Sequence, residues 1–265
     1  MYFNPMDVTL TRTPVRAWVE TAKALRDADG FHLGGVNVHI QNPTLMSDQE
    51  IAVIRHVDGF LRAHKQYPIS TVANTIFPQS LDHGDGAEAL AERYMRVFER
   101  AMKTGWGRYF QRFVAWPNQK GGPPINQLAV LIDMLGEART GVFHTEKYEL
   151  VVSDPARLMR NVRNRPCLSL VELKPEKNTN RLHIYATYRN HYYIQKTLGN
   201  ILGLADLQAF IARESGFEVG TLTLNSTSAN LETNSGKDGV GKWGKNDVRQ
   251  LITDCDELLI NRRAA

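Results

Sequence analysis

Two cysteines, Cys167 and Cys255, pose the first chemical question in this chain. Neither sits in a C-x-x-C pair and no H-E-x-x-H occurs, so the spacing gives no disulfide framework and no metal site. A lone thiol can still be a nucleophile. Cys167 follows Arg165-Pro166, with Arg160 and Arg163 close upstream, and positive charge of this kind lowers a thiol pKa. The competing reading is a small buried hydrophobe on a strand, a common fate of free cysteine. Cys255 falls on an apolar helical face with Leu251, Ile252 and Leu258 and reads as core. His144, Glu146, His183, His191 and Asp254 are further titratable candidates, scattered along the chain. A single histidine on a strand, such as His183, is more often a packing residue. Tyr188, His191, Tyr192 and Tyr193 cluster where they could stack on a base or pack at a strand end, at a subunit interface.

The elements that must position these groups follow from periodicity. Val15, Trp18, Val19, Ala22 and Leu25 share one face of a helix over residues 14–29, and Val36, Val38 and Ile40 alternate as in a strand. Ser47-x-x-Glu50 is a capping box opening the next helix, whose apolar face is Ile51, Ile54, Val57 and Leu61. Residues 67–77 are a mixed segment and 79–86 are turn-rich. Helices are expected over 88–103, 125–137, 197–214 and 246–261, and strands over 148–153, 167–173, 181–189 and 217–224. Residues 105–124 are Gly/Pro-rich and aromatic, and read as irregular. Residues 235–245, with glycines and lysines around Trp243, are the candidate mobile loop. No repeat or linker divides the chain, so the expectation is one α+β domain over residues 1–265.

Composition narrows the classes. Of 265 residues, 42% are hydrophobic and 23% charged, ordinary values for a globular protein able to bury a core. The longest apolar runs, 128–135 and 201–211, fall short of the roughly 18–20 residues of a membrane span. Residues 1–13 carry no secretory or transit character, which makes a cytoplasmic location the default expectation. The net charge of +4 is scattered; a small phosphorylated ligand accounts for it as well as nucleic acid does, and a dispersed basic surface with no charged partner is the plainer reading.

The order of motifs resembles thymidylate synthase and the related pyrimidine nucleotide hydroxymethylases. In that family a Pro-Cys opens a strand, a second strand ends in Q-R-S-x-D, and an Asn lies eleven positions after the Arg. Here Arg165-Pro166-Cys167 precedes Tyr188-Arg189-Asn190-His191-Tyr192, and Asn200 lies eleven after Arg189. A long apolar helix through Ile201, Leu204, Leu207 and Ile211 and a Val219-Gly220 turn follow in family order. Upstream, Trp106-Gly107-Arg108-Tyr109-Phe110 and Ile125-Asn126-Gln127-Leu128 resemble the family's Tyr-Gly segment and its Asp-Gln-Ile helix start. The resemblance spans residues 105–230 and leaves 1–100 unassigned. It implies a thymidylate synthase-like mixed sheet with flanking helices, and a homodimer formed through a sheet face. Alternating apolar positions over 168–173 and 182–188 suit a sheet buried on both faces.

The resemblance also implies roles. Cys167 would add as a thiolate to C6 of a pyrimidine, making C5 nucleophilic toward a one-carbon unit on 5,10-methylenetetrahydrofolate. Arg189, a planar fork of donors that stays charged, would hold the substrate phosphate, with Asn190 in place of the family's Ser. Asn200 would read N3 and O4 of a uracil-like base, where cytidylate hydroxymethylases tend to carry Asp. Several family residues are replaced. The His after the Cys is Leu168, and the Gln and Asp of Q-R-S-x-D are Tyr188 and Tyr192. The Arg pair that reaches a partner subunit's phosphate falls at Glu146-Lys147, leaving Lys147 as the one cation. Near the ribose-binding His-x-Tyr stand Ser228 and Asn230, and Asn74 is closest to the general-base Glu, although an amide cannot move a proton at neutral pH. Residues 261–265 do not resemble the tail that caps the folate.

Two functions follow: a C5 methyl- or hydroxymethyltransferase acting on a pyrimidine nucleotide monophosphate, or a nucleotide-binding regulatory protein that kept the pocket without methylase activity. An enzyme using other residues on the same fold is a third.

Overall fold

The computed structural model describes residues 9–101, 108–118, 120–141, 143–159, 165–233 and 242–260. Their strands are β1 (Thr9–Thr11), β2 (His32–Ile40), β3 (Glu149–Val151), β4 (Leu168–Glu176), β5 (Arg181–Tyr188), β6 (His191–Tyr192) and β7 (Glu218–Asn230). They form one seven-stranded mixed sheet in the order β1-β2-β7-β5-β4-β3, with β6 alongside β7. β7 runs antiparallel to β2 and parallel to β5 and β6, while β4 is antiparallel to both β5 and β3.

The helices are α1 (Pro14–Asp27), α2 (Asp48–Ala63), α3 (Ile69–Ile76), α4 (Ala87–Ala101), α5 (Tyr109–Val114), α6 (Gln127–Thr140), α7 (Pro155–Leu158), α8 (Leu198–Ser215) and α9 (Lys245–Ile260). α1 starts with Pro14 at its first position, where the missing N–H costs nothing, and its Trp18, Val19, Ala22 and Leu25 are buried. α2 opens on the expected capping box: the Ser47 hydroxyl accepts from the Glu50 N–H while the Glu50 carboxylate accepts from the Ser47 N–H at 2.7 Å. The expected helices and strands are present, with end shifts of a few residues. The largest is β7, which runs on to Asn230. Three helices, α3, α5 and the four-residue α7, had no helical signal in the sequence. α3 lies in the mixed segment, and α5 within the stretch read as irregular, where Phe110, Phe113 and Val114 are buried among neighbours distant in sequence.

α8 is the pivot of the helical layer. Leu198, Ile201, Leu204, Leu207, Phe210 and Ile211 are buried, so the helix is apolar nearly all round, as a helix sandwiched between sheet and outer helices must be. α3 crosses it closely. A Cβ at Gly199 would stand 2.7 Å from Val72 Cβ, and one at Gly203 would stand 2.6 Å from the Ala73 carbonyl oxygen, so glycine at both positions sets the approach.

One side of the sheet packs on this layer through Val36, Val38, Ile40, Leu182, Ile184, Ala186, Leu222 and Leu224. The expectation of a sheet apolar on both faces is not met. The alternate positions are polar or amphipathic, including His39, His183, Tyr185, Thr221, Thr223 and Asn225, and Tyr185 is 42% exposed. No described helix is long and apolar enough to cross a membrane. Most of the loop at 235–245 falls outside the described residues. Trp243 within it is 3% exposed and packs edge-on against Phe60 and His64.

Candidate functional site

β5 stops at Tyr188 and its line resumes as β6 at His191, both pairing with β7. Arg189 and Asn190 occupy the gap. The Arg189 N–H still donates to the Cys167 carbonyl at 2.9 Å, so the end of β5 stays tied to the residue just before β4. After β6 a single π-turn over Tyr193–Thr197 leads directly into α8. Such turns recur at functional sites because they rotate the side chains that follow. The effect is to bring the break in β5, the start of β4 and the first turn of α8 to one place.

A cavity of about 600 Å³ opens there, within the range that holds a small ligand. Cys167, Asn190 and Asn200 are on its walls, and so is Arg165. Cys167 is half-buried, where the strand reading alone would have hidden it in the core. Burial raises its pKa; the opposing pull comes from the Arg189 guanidinium and then the Lys196 ammonium. Arg160 and Arg163 lie outside the described residues, as do Trp106 and Gly107. Cys255 is fully buried among Leu251, Ile252 and Val248, and burial pushes its thiol up to about 12.

Arg189 stands beside the thiol but not on the cavity wall. Its Nη2 donates to the Pro166 carbonyl and its buried Nε has no hydrogen-bond partner. Asn190 faces the cavity and collects two other expected residues. Its Oδ1 accepts from Ser228 Oγ at 3.1 Å and from Asn230 Nδ2 at 3.2 Å, and Ser228 Oγ is 3.0 Å from His32 Nε2. Ser228 and Asn230 thus stand behind Asn190 rather than on the wall. Asn74 is exposed and off the wall: on α3 it points about a quarter-turn away from Thr71, Val72 and Thr75, which do line the cavity. Lys147 precedes β3, whose register places it opposite the far half of β4, six or seven residues from Cys167 and so roughly 20 Å along the strand. Its ammonium lies 5.6 Å over the Tyr148 ring.

Several wall residues carried no signal in the sequence. Lys196 sits four positions before Asn200, one helical turn, so the ammonium and the amide enter the cavity together. That spacing was readable once Asn200 was suspected. Burial lowers the Lys196 pKa, opposed by Glu232 and Cys167. Glu232, just beyond β7, accepts from the Ile194 N–H at 3.2 Å and the Gln195 N–H at 2.6 Å. Burial lifts its carboxyl to about 7, although those N–H groups and Lys196 pull it back. The Tyr109 hydroxyl accepts from the Leu168 N–H at 3.3 Å, and burial raises its pKa. Tyr67, Arg108 and Tyr192 complete the rim.

Asn200 is 5% exposed and its amide nitrogen lies 3.1 Å from His191 Nε2, while His191 Nδ1 lies 2.9 Å from Ser226 Oγ. His191 is stacked on Tyr188 with centroids 3.9 Å apart, and burial drops its pKa to about 3, so the imidazole is neutral. The aromatic cluster is therefore mostly packing, with Tyr188 and Tyr193 buried and Tyr192 44% exposed at the cavity. His144 and Glu146 are exposed, His183 bonds Thr221 on the open sheet face, and Asp254 pairs with His56 at 3.3 Å; none lines the cavity.

The described walls carry three cations, Arg108, Arg165 and Lys196, and no carboxylate. Arg165 Nε is buried without a hydrogen-bond partner. An anion with a flat ring fits this lining: donors and positive charge at one part, Tyr67, Tyr192 and Val72 as apolar surface, an amide and a thiol between them. No protein-family model matches the chain, and no curated protein is similar to it in sequence.

Proposed function

We propose that this cavity binds a pyrimidine nucleotide monophosphate and activates its C5 through Cys167, in the manner of a divergent thymidylate synthase-like C1 transferase. The supporting observation is that Cys167 and Asn200, 33 residues apart and on different elements, line one cavity with three cations. The phosphate lies against Arg165 and Lys196, since the Arg189 fork is partly committed to the Pro166 carbonyl.

The chemistry balances within the chain and the substrate. The Cys167 thiolate forms a bond to C6, and the C5–C6 π electrons move through C4 onto O4. The Asn200 amide can donate to that oxygen as it gains charge. C5 then takes a proton from water; loss of the original C5 hydrogen and expulsion of the thiolate restore the ring, with the C5 hydrogen exchanged. In a methyl- or hydroxymethyltransferase, a bound methylenetetrahydrofolate would be the source of the one-carbon unit. The fit of this cofactor is incomplete: the pterin's amide and amino edge presents donors, and the described walls offer it no carboxylate.

5-Tritiated UMP, dUMP, CMP or dCMP should release tritium to water, and Cys167→Ala should abolish the release. No release from any of the four rejects C5 activation. A second reading, a nucleotide-binding protein without turnover, is favoured by the exposure of Asn74 where the family keeps its base. Under that reading a nucleotide raises the Tm, nothing turns over, and Cys167→Ser leaves binding unchanged. We further propose that two chains associate through the polar sheet face around Tyr185, which no described element covers.

A further inference from the structure

The carboxylate behind Lys196 carries an inference about what accompanies ligand binding; it rests on the pyrimidine nucleotide reading above. Glu232 stands just past β7, off the cavity wall, and both its oxygens are given to backbone. Oε2 accepts from the Ile194 N–H at 3.2 Å and Oε1 from the Gln195 N–H at 2.6 Å. The next residue in that π-turn is Lys196, whose side chain is on the wall with Cys167 and Asn200. The turn is pinned at two more points. The Trp18 indole N–H donates to the Tyr193 carbonyl at 2.9 Å, and the Thr197 hydroxyl donates to the Tyr192 carbonyl at 3.1 Å. Lys196 is therefore a cation with a fixed anion behind its turn and an open cavity in front.

Neither charge is saturated. The Lys196 ammonium lies 5.6 Å over the Tyr67 ring and makes no hydrogen bond or close ion pair among the described residues. Two amide hydrogen bonds satisfy part of the Glu232 carboxylate, and the cation acting on it is Lys196. The other groups packed around Glu232 are committed elsewhere. The Trp243 indole N–H donates to the Glu232 carbonyl at 2.7 Å, with Phe60 and His64 against the indole and His64 Nδ1 2.8 Å from the Phe60 carbonyl. On α9, Lys245 and Arg249 lie over the Phe31 ring at 5.5 Å and 5.2 Å.

A nucleotide phosphate in the cavity brings nearly two negative charges to that same ammonium. It draws Lys196 away from the carboxylate and adds its own field to the carboxylate's. A partly desolvated carboxylate that loses its cation neutralises by taking a proton, at lower cost than staying charged. We propose that Glu232 is the resting counter-ion of Lys196 and gives it up to the ligand, so that binding a nucleotide monophosphate is coupled to uptake of one proton at Glu232. The proton comes from solvent, which the half-buried Glu232 meets and toward which its acid hydroxyl can turn. The remaining carbonyl oxygen keeps the Gln195 N–H, so the turn holds its place. Lys196 stays an ammonium throughout, and no bond in the ligand changes.

The probe is whichever of UMP, dUMP, CMP and dCMP binds most tightly. With the empty-state carboxyl near 7, its binding at pH 7.5 should take up about half a proton per site, counted by calorimetry in buffers of different ionisation enthalpy. Affinity should fall about 3- to 10-fold from pH 7 to 8.5, a range in which the phosphate, with a second pKa of about 6, is already doubly ionised. The matching nucleoside has no phosphate to offer Lys196 and should bind without uptake. Glu232→Gln, which cannot take a proton, should abolish the uptake. An infrared difference spectrum of the unmodified protein should gain the C=O band of a protonated carboxyl on binding, a readout that needs no variant to fold. Uptake that survives Glu232→Gln, or nucleotide binding with neither uptake nor that band, overturns the coupling and leaves the pyrimidine reading standing. Failure of all four nucleotides to bind overturns both.

Discussion

A thiol is useful in proportion to its ionised fraction, and at Cys167 two influences oppose each other: burial against the charges of Arg189 and Lys196. Burial prevails. Iodoacetamide should therefore label Cys167 and not Cys255, with a rate that inflects above the ~8.5 of a free thiol. Lys196→Ala should move that inflection higher, since it removes one of the two stabilising charges. An inflection at or below the free value would mean that the cations outweigh burial. Arg165→Ala should weaken binding of a nucleoside monophosphate by about 10- to 100-fold and leave the bare nucleoside unaffected, because the lost contact is a charge-assisted one. Equal losses for both ligands would place the phosphate elsewhere. Glu232 offers a stability test. Its folded carboxyl sits near 7, above the ordinary 4.5, so the folded state holds its proton more tightly than the unfolded chain. The stabilisation is complete below about 4.5 and is lost as pH rises through about 7. Glu232→Gln should flatten that part of the stability profile, by on the order of 1–3 kcal/mol between pH 5 and 8 in chemical denaturation. An unchanged slope would reject it.

Elements decide what a residue can reach. The crossing of α3 and α8 sets the distance between Thr71 and Thr75 on one wall and Lys196 and Asn200 on the other. Gly203→Ala would push a methyl to within 2.6 Å of the Ala73 carbonyl oxygen and 3.0 Å of its Cα, atoms that cannot swing aside. It should cost about 1–3 kcal/mol in urea unfolding and weaken nucleotide binding, because α3 must retreat from the cavity. The same crossing explains what the sequence disclosed and what it withheld. Strong periodicity made α1, α2, α4, α6, α8 and α9 and the strands β2, β4, β5 and β7 legible. α3 and α5 have eight and six residues, too few for a periodic face to stand out among prolines and aromatics. At the site, Cys167, Asn190 and Asn200 were singled out by the order and spacing of short sequence motifs, and all three line the cavity. Thr71, Thr75 and Tyr67 were not, since only the packing of a distant short helix brings them to the thiol. Asn74 was misplaced for the complementary reason: a segment with no assigned helix has no assigned face.

At the scale of the molecule the sheet divides the protein into a packed half and a bare one. The helical layer covers one side; His39, His183, Tyr185 and their threonine neighbours remain on the other. If two chains meet there, sedimentation should give twice the 29.9 kDa chain mass, and Tyr185→Asp at the centre of that face should return it to the single value. A single-chain mass for the unmodified protein would reject the pairing and leave the cavity to work alone.

The position of β7 has a consequence for how this chain comes into being. It is the last of the described strands to be made, yet it is the seam between β2 and the β5–β4–β3 unit, with partners on both sides along most of its length. Before residue 230 leaves the ribosome, the N-terminal β1–β2 pair and the later β3–β4–β5 meander can each fold locally, but each presents an unsatisfied row of amides and carbonyls to solvent or to other nascent chains. Completion waits for β7 and for contacts that reach from Asn230 back to His32, which makes for slow closure. Chains truncated before Asn230 should accumulate as aggregates, not as a smaller soluble core.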